Sequence, residues 1–226
     1  MRSVRYLTVA AALLVGACAG SPQRSSAPPP SPPPILDPDA ACLKDLRDHS
    51  VVFEPLAMVG ASPACQIANP VKITADGQMD WSRPGVLSCA TMRVVDRFEA
   101  DEVQPAAQRH FGQRVVRLLH MGTYQCRTRR TDATAAAAAA GKPVRGGRLS
   151  EHAKGQAIDI GGFELADGSI VSVKRDWRAG GRNAAFLNEI ARAACGHFSV
   201  VLTPNYNAVH ADHLHLDIGP HRLCGV

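Results

Sequence analysis

The sequence predicts an α+β domain over residues 39–226: a small antiparallel sheet that carries the functional side chains, with helices packed on one face. Three observations predict it. Apolar residues recur at helical spacing from Leu87 to Ala100 and again from Asn183 to Cys195. Short β-rich runs bounded by turn residues gather late, at 157–160, 170–173, 198–202 and 213–218. Helices lead and strands follow, without the regular strand–helix alternation of a parallel sheet.

Along the chain, Ala41, Leu43 and Leu46 place a short amphipathic helix between Pro38 and about Ser50, and Val51-Val52-Phe53 a strand after it. Val71-Lys72-Ile73-Thr74, an Asp76-Gly77 turn and Trp81 read as a hairpin within residues 65–85. The helix beginning at Leu87 is followed by a second over Pro105–Phe111, because proline suits a first helical turn, and then by a strand over Val115–Met121. Thr131–Gly147 carries six consecutive alanines, Ala135–Ala140, and several glycines. Alanine favours helix, but the run has no amphipathic pattern and is expected to be a mobile surface insertion. Ala166-Asp167-Gly168 is the turn of a second hairpin.

The first 38 residues cannot build a core. Arg2 and Arg5 precede the apolar run Tyr6–Val15 and a small-residue site, the pattern of an export signal over residues 1–17. That run is too short to span a bilayer as a helix. Cys18 directly after Val15-Gly16-Ala17 resembles a bacterial lipobox, which implies a lipid on Cys18; an ordinary cleaved signal with an incidental cysteine is the alternative. Residues 18–38, with Pro28-Pro29-Pro30 and Pro32-Pro33-Pro34, suit an extended tether at about 3.1 Å per residue. The expected location is therefore the cell envelope, lipid-anchored and facing the periplasm, with the outer membrane expected because Ala19 is not the aspartate that retains many lipoproteins at the inner one.

Six further cysteines, Cys42, Cys65, Cys89, Cys126, Cys195 and Cys224, form no C-x-x-C pair. In an exported chain they are expected to form disulfides, with fifteen pairings open. The charge of +5, from 25 Lys and Arg against 20 Asp and Glu, suits work near an anionic polymer or membrane surface. Nothing in the sequence resembles a nucleotide or nucleic-acid site, and no nucleic-acid partner is expected.

Two clusters carry chemistry. Ser150-Glu151-His152-Ala153-Lys154-Gly155-Gln156-Ala157-Ile158-Asp159 sets a histidine and a carboxylate on either side of a glycine that lets the chain turn. His210-Ala211-Asp212-His213-Leu214-His215-Leu216-Asp217 puts His213, His215 and Asp217 on one face of a strand and Leu214, Leu216 and Ile218 on the other. Imidazole and carboxylate are ligands that zinc accepts, and together the clusters supply three groups for a tetrahedral site with one open position. Singly, each has a plainer reading: Asp159 as a turn cap, Asp217 as the partner of an arginine. His110, His120, His197 and His221 lack such company and are expected to be structural.

The motif Ser150-x-His152-x-x-Gly155-x-Ala157-x-Asp159 followed by His213-x-His215 resembles the superfamily of lysostaphin-type endopeptidases, D-Ala-D-Ala carboxypeptidases and the hedgehog domain. More closely, Cys42 to Cys224, with Gly122-Thr123-Tyr124-Gln125-Cys126-Arg127 and the two clusters, resembles the bacterial extensin-like C-terminal domain family. The superfamily resemblance implies zinc on His152, Asp159 and His215. It implies a catalytic role for His213 as base, with Asp212 as the alternative base, a role for His210 beside them, and one for Arg127 at the scissile carbonyl. The expected function is that of a zinc-dependent peptidase or amidase acting on the peptide stems or cross-links of peptidoglycan. A non-catalytic, zinc-stabilised wall-binding or scaffolding lipoprotein is the alternative, as the hedgehog domain allows.

Overall fold

The computed structural model describes residues 38–60, 62–140 and 147–226. The expected export signal, Cys18 and nearly all of the proline-rich tether lie outside the described residues, as does the glycine-rich close of the 131–147 stretch.

Helix α1 (Pro38–Asp48) leads into strand β1 (Val52–Pro55). Strands β2 (Pro70–Ala75) and β3 (Asp80–Ser88) form the expected hairpin, and β1 adds to its edge antiparallel to β2. Asp76 makes the turn by accepting from the backbone N–H groups of Gln78 and Met79 at 3.0 and 2.9 Å. Helices α2 (Cys89–Phe98) and α3 (Gln104–Phe111) are expected as separate helices, yet a π-helical turn over Glu99–Val103 joins them without a break. The register changes just ahead of Pro105, which has no N–H to offer an α-helical ladder.

After α3 come β4 (Val115–Gly122), α4 (Asp132–Ala139), β5 (Ala157–Leu165), β6 (Ile170–Ser172), the short α5 (Val173–Asp176), α6 (Gly181–His197), β7 (Val200–Leu202), β8 (Leu214–Asp217) and β9 (Leu223–Gly225). Among the described residues the nine strands form one sheet in the order β1-β2-β3-β4-β5-β8-β7-β9, with β6 paired to β5. The sheet is larger than expected and mixed, because β3 and β4 run parallel, as do β7 and β9. The chain between β3 and β4 is the α2–α3 segment, so one helical crossover sits in a chain whose local pattern reads as antiparallel.

Where a mobile surface insertion is expected, residues Asp132–Ala139 form helix α4. Its start is fixed by a reciprocal cap: the Thr131 hydroxyl accepts from the Thr134 N–H at 3.2 Å, and Thr134 Oγ1 accepts from the Thr131 N–H at 2.7 Å. With the first turn capped, alanine's propensity suffices for a short exposed helix.

Met92, Val95 and Phe98 of α2, Ala106 and Ala107 of α3, and Phe186, Leu187 and Ile190 of α6 share one core with the sheet residues Ile158, Ile160, Phe163, Leu214 and Leu216. The alternation in β5 and β8 then directs Asp159, His215 and Asp217 away from that core. All six domain cysteines pair, as Cys42–Cys89, Cys65–Cys126 and Cys195–Cys224. Closing loops of 29 to 61 residues, each contributes about 4 kcal/mol in the chain-entropy account. Among the described residues no helix is long and apolar enough to cross a membrane.

Candidate metal centre

Register assembles the centre. Across the sheet, Gly122 of β4 pairs with Asp159 of β5, Asp159 with His215 of β8, and His215 with Leu202 of β7. Gly122 leaves room beside the carboxylate, since a Cβ there would stand 3.2 Å from Asp159 Oδ2, a tight contact. His152 arrives from a 3-10 turn over Glu151–Lys154, which Gly155 ends in the left-handed conformation at φ +63°. A Cβ on Gly155 would also lie 2.9 Å from both Ile67 Cδ1 and the Ser88 backbone nitrogen.

The three groups meet at hydrogen-bonding range. Asp159 Oδ1 is 3.1 Å from His152 Nε2 and 2.9 Å from His215 Nδ1, and the two nitrogens are 3.2 Å apart. The outward ring nitrogens are already committed. His152 Nδ1 donates to the Thr123 carbonyl at 2.5 Å, and His215 Nε2 donates to Asp217 Oδ2 at 3.1 Å. A carbonyl or carboxylate can only accept, so each imidazole carries a proton on its outer nitrogen; the inner nitrogen faces Asp159, to which it donates when protonated and beside which it can ligate an ion when it is not. Two imidazole nitrogens and a carboxylate oxygen, all within 4.8 Å of one another, are a donor set that fits a divalent ion such as zinc.

The electrostatics couple the three groups to one another. Burial alone would raise the Asp159 carboxyl, but hydrogen bonds from His152 and His215 outweigh it and hold the group well below the usual carboxylate range. Burial alone would lower His215, and its bonds to Asp159 and Asp217 instead lift it to about 9.

His213 precedes β8 and brings Nε2 to 3.6 Å from Asp159 Oδ1, while its Nδ1 donates to Asp212 Oδ1 at 2.8 Å. The ring of His210 lies 5.2 Å from that of His213 and 5.7 Å from that of His215. Burial, then the nearby His215 and His213, push His210 down to about 4. A cavity of about 290 Å³ opens onto these groups, and Arg127, Asp159, His210, His213 and His215 lie on its wall. His152 is buried behind the wall at 1% exposure, and Asp212 reaches the cavity only through His213.

Arg127 follows Cys126, so the Cys65–Cys126 disulfide anchors the chain beside it. Its guanidinium is held by Gln125 Oε1 at 2.8 Å and by the Thr128 carbonyl at 3.2 Å, both neutral acceptors. Burial lowers its pKa somewhat, against the pull of the Asp159 charge.

The structure therefore brings His152, Asp159, His215, His213, His210 and Arg127 together, with Asp212 behind His213. Asp217 pairs with His215 and not with an arginine. His110 and His197 have carboxylate partners elsewhere, Glu189 and Glu102, and His120 donates to the Arg83 carbonyl. His221, expected to be structural, sits on the cavity wall. Sequence reasoning did not find the Thr123 carbonyl, Asn207, or Glu151, which pairs with Arg129 at 2.8 Å and Lys154 at 3.3 Å. A backbone carbonyl leaves no residue signal; Asn207, three residues before His210, matches a short-turn cap.

No curated protein and no solved structure matches the chain significantly. A family model described as the extensin-like protein C-terminus matches residues 40–225, and the chain belongs to that family.

Proposed function

Taking membership of the extensin-like C-terminal family as the premise, we propose that this chain is a zinc-dependent peptidase or amidase of the cell envelope, acting on the peptide stems or cross-links of peptidoglycan. The observation that carries the reading is the convergence of His152 Nε2, Asp159 Oδ1 and His215 Nδ1 on a cavity that also presents His213. A closed structural site has no use for an oriented histidine at its open side.

When bound, zinc lowers the pKa of a water molecule toward about 7 and polarises a carbonyl. The remaining steps belong to the chain. His213 accepts the water's proton at Nε2, and Asp212, holding its Nδ1–H, orients the ring and stabilises the imidazolium that results. Arg127 is the cavity's donor for the oxygen of the scissile carbonyl as negative charge grows there. His213 then returns the proton to the leaving amine nitrogen. Val200, Leu202, Val209 and Leu223 give the cavity an apolar side for a peptide side chain.

The substrate follows from place. An export signal, a lipid on Cys18 and a proline-rich tether would hold a basic domain within reach of the wall polymer.

The test is to load the protein with zinc, measure bound metal, and incubate wild type, His215→Ala and His213→Ala with purified peptidoglycan, reading fragments by mass spectrometry. Zinc is expected to be lost in His215→Ala, and cleavage lost with zinc retained in His213→Ala. Full zinc occupancy with no fragment from any wall preparation would replace the hydrolase with a zinc-stabilised binding module.

A further inference from the structure

Four histidines line the cavity, and the outward partners of the three nearest the centre differ. His215 is backed by Asp217 and His213 by Asp212, both carboxylates. His210 is backed by Asn207, a neutral amide, with Oδ1 2.6 Å from His210 Nδ1. Among the described residues no carboxylate hydrogen-bonds to His210.

The amide's orientation is settled by a third atom. The backbone N–H of His210 points at the same Asn207 atom at 3.3 Å, and Asn207 is the cap of the 3-10 turn Ala208–His210. A backbone N–H can only donate, so that atom is the amide oxygen. An amide oxygen can only accept, so the proton of the His210 ring is on Nδ1. The residue is 8% exposed, with two other imidazoles at 5.2 and 5.7 Å and no carboxylate in hydrogen-bonding contact among the described residues. Nε2 then carries a lone pair.

We propose that Asn207 is a positioning residue that locks His210 in the Nδ1–H form, making His210 Nε2 a fixed hydrogen-bond acceptor in the cavity. The proposal rests on the hydrolase reading only for what His210 accepts. There it receives an N–H of the substrate backbone or an O–H of water, and it cannot donate to an oxyanion. Arg127, on the same cavity wall, takes that task in the proposed mechanism. The cavity thus reads an amide by both of its polar ends, the oxygen through Arg127 and the N–H through His210.

The test is a long-range proton–nitrogen NMR correlation on 15N-histidine-labelled protein, with the His210 signals assigned by their loss in His210→Gln. A protonated Nδ1 and an unprotonated Nε2 are expected in the wild type, a tautomer mixture in Asn207→Ala, and restored Nδ1 protonation in Asn207→Asp. On a cleaved substrate, Asn207→Ala is expected to lower kcat/KM ~10- to 100-fold with zinc content unchanged. A protonated Nε2 in the wild type, or an unaltered spectrum in Asn207→Ala, overturns the proposal. The spectra need no substrate, so they decide this point whether or not the protein hydrolyses peptidoglycan.

Discussion

Asp159 and His215 stand directly opposite each other in the antiparallel β5–β8 ladder, with Asp159 Oδ1 2.9 Å from His215 Nδ1. A single backbone register therefore sets two of the three proposed ligands, and the leucines flanking His215, Leu214 and Leu216, hold that register by filling the core at 0% exposure. A one-residue slip would carry both imidazole and leucines to the wrong faces.

Asp217 extends this arrangement outward by fixing which nitrogen of His215 faces inward. Asp217→Asn keeps the shape but removes the charge that makes the imidazole a better donor. Zinc affinity is expected to fall ~10- to 100-fold. Competition against a chromophoric chelator measures it, and an unchanged affinity would show that Asp217 has no part in the centre.

In the proposed mechanism Asp212, bonded to His213, acts on the base and not on the metal. Asp212→Asn is expected to leave zinc content at the wild-type level while kcat drops ~10- to 100-fold. Single-turnover cleavage combined with metal analysis separates the two quantities; loss of zinc in this variant would contradict the assignment.

Gly155 joins conformation to packing, since its positive φ and its contacts with Ile67 and Ser88 both exclude a side chain. Gly155→Ala is expected to destabilise the fold by ~1–3 kcal/mol and to displace the turn that carries His152. Denaturant unfolding supplies the first quantity and zinc titration the second. A variant as stable as wild type would mean that the turn relaxes freely.

Glu99 gives a pH dependence far from the centre. It is 2% exposed in the π-helical turn, and burial, followed by the neighbouring Asp76 and Asp96 carboxylates, raises its pKa well above the usual glutamate value. The folded protein thus keeps this proton to a higher pH than the unfolded chain. Its contribution to stability falls as pH rises from the unfolded value near 4.3 toward the folded one. Glu99→Gln is expected to stabilise the protein by ~1–3 kcal/mol at pH 7, with the gain vanishing below pH ~4. Unfolding curves at both pH values check it; equal stability at pH 7 would mean that Glu99 is not strained by its charge.

Much of the fold was legible because its signals are local. The β2–β3 hairpin follows from an aspartate turn, and α6 from apolar spacing. The outward face of β8 follows from the alternation of Leu214, His215, Leu216 and Asp217. The α4 cap is not legible in the sequence, because a Thr-x-x-Thr pair lacks the Glu or Gln of a capping box and the alanines after it have no amphipathic spacing.

By itself, then, the sequence determined which side chains could serve as ligands, which strands carry them and which cysteines would oxidise, because these depend on residue type and short spacing. Tertiary structure alone decided the parallel joins of β3 with β4 and β7 with β9, the three disulfide pairings, and the partners of His152, His210 and His215. Those depend on segments far apart in the chain: Thr123 and His152 are 29 residues apart, and His152 and His215 are 63 apart. No spacing rule reaches across such distances. What joins them is burial of one apolar face of the sheet, which leaves the other face, and the polar groups on it, a single arrangement.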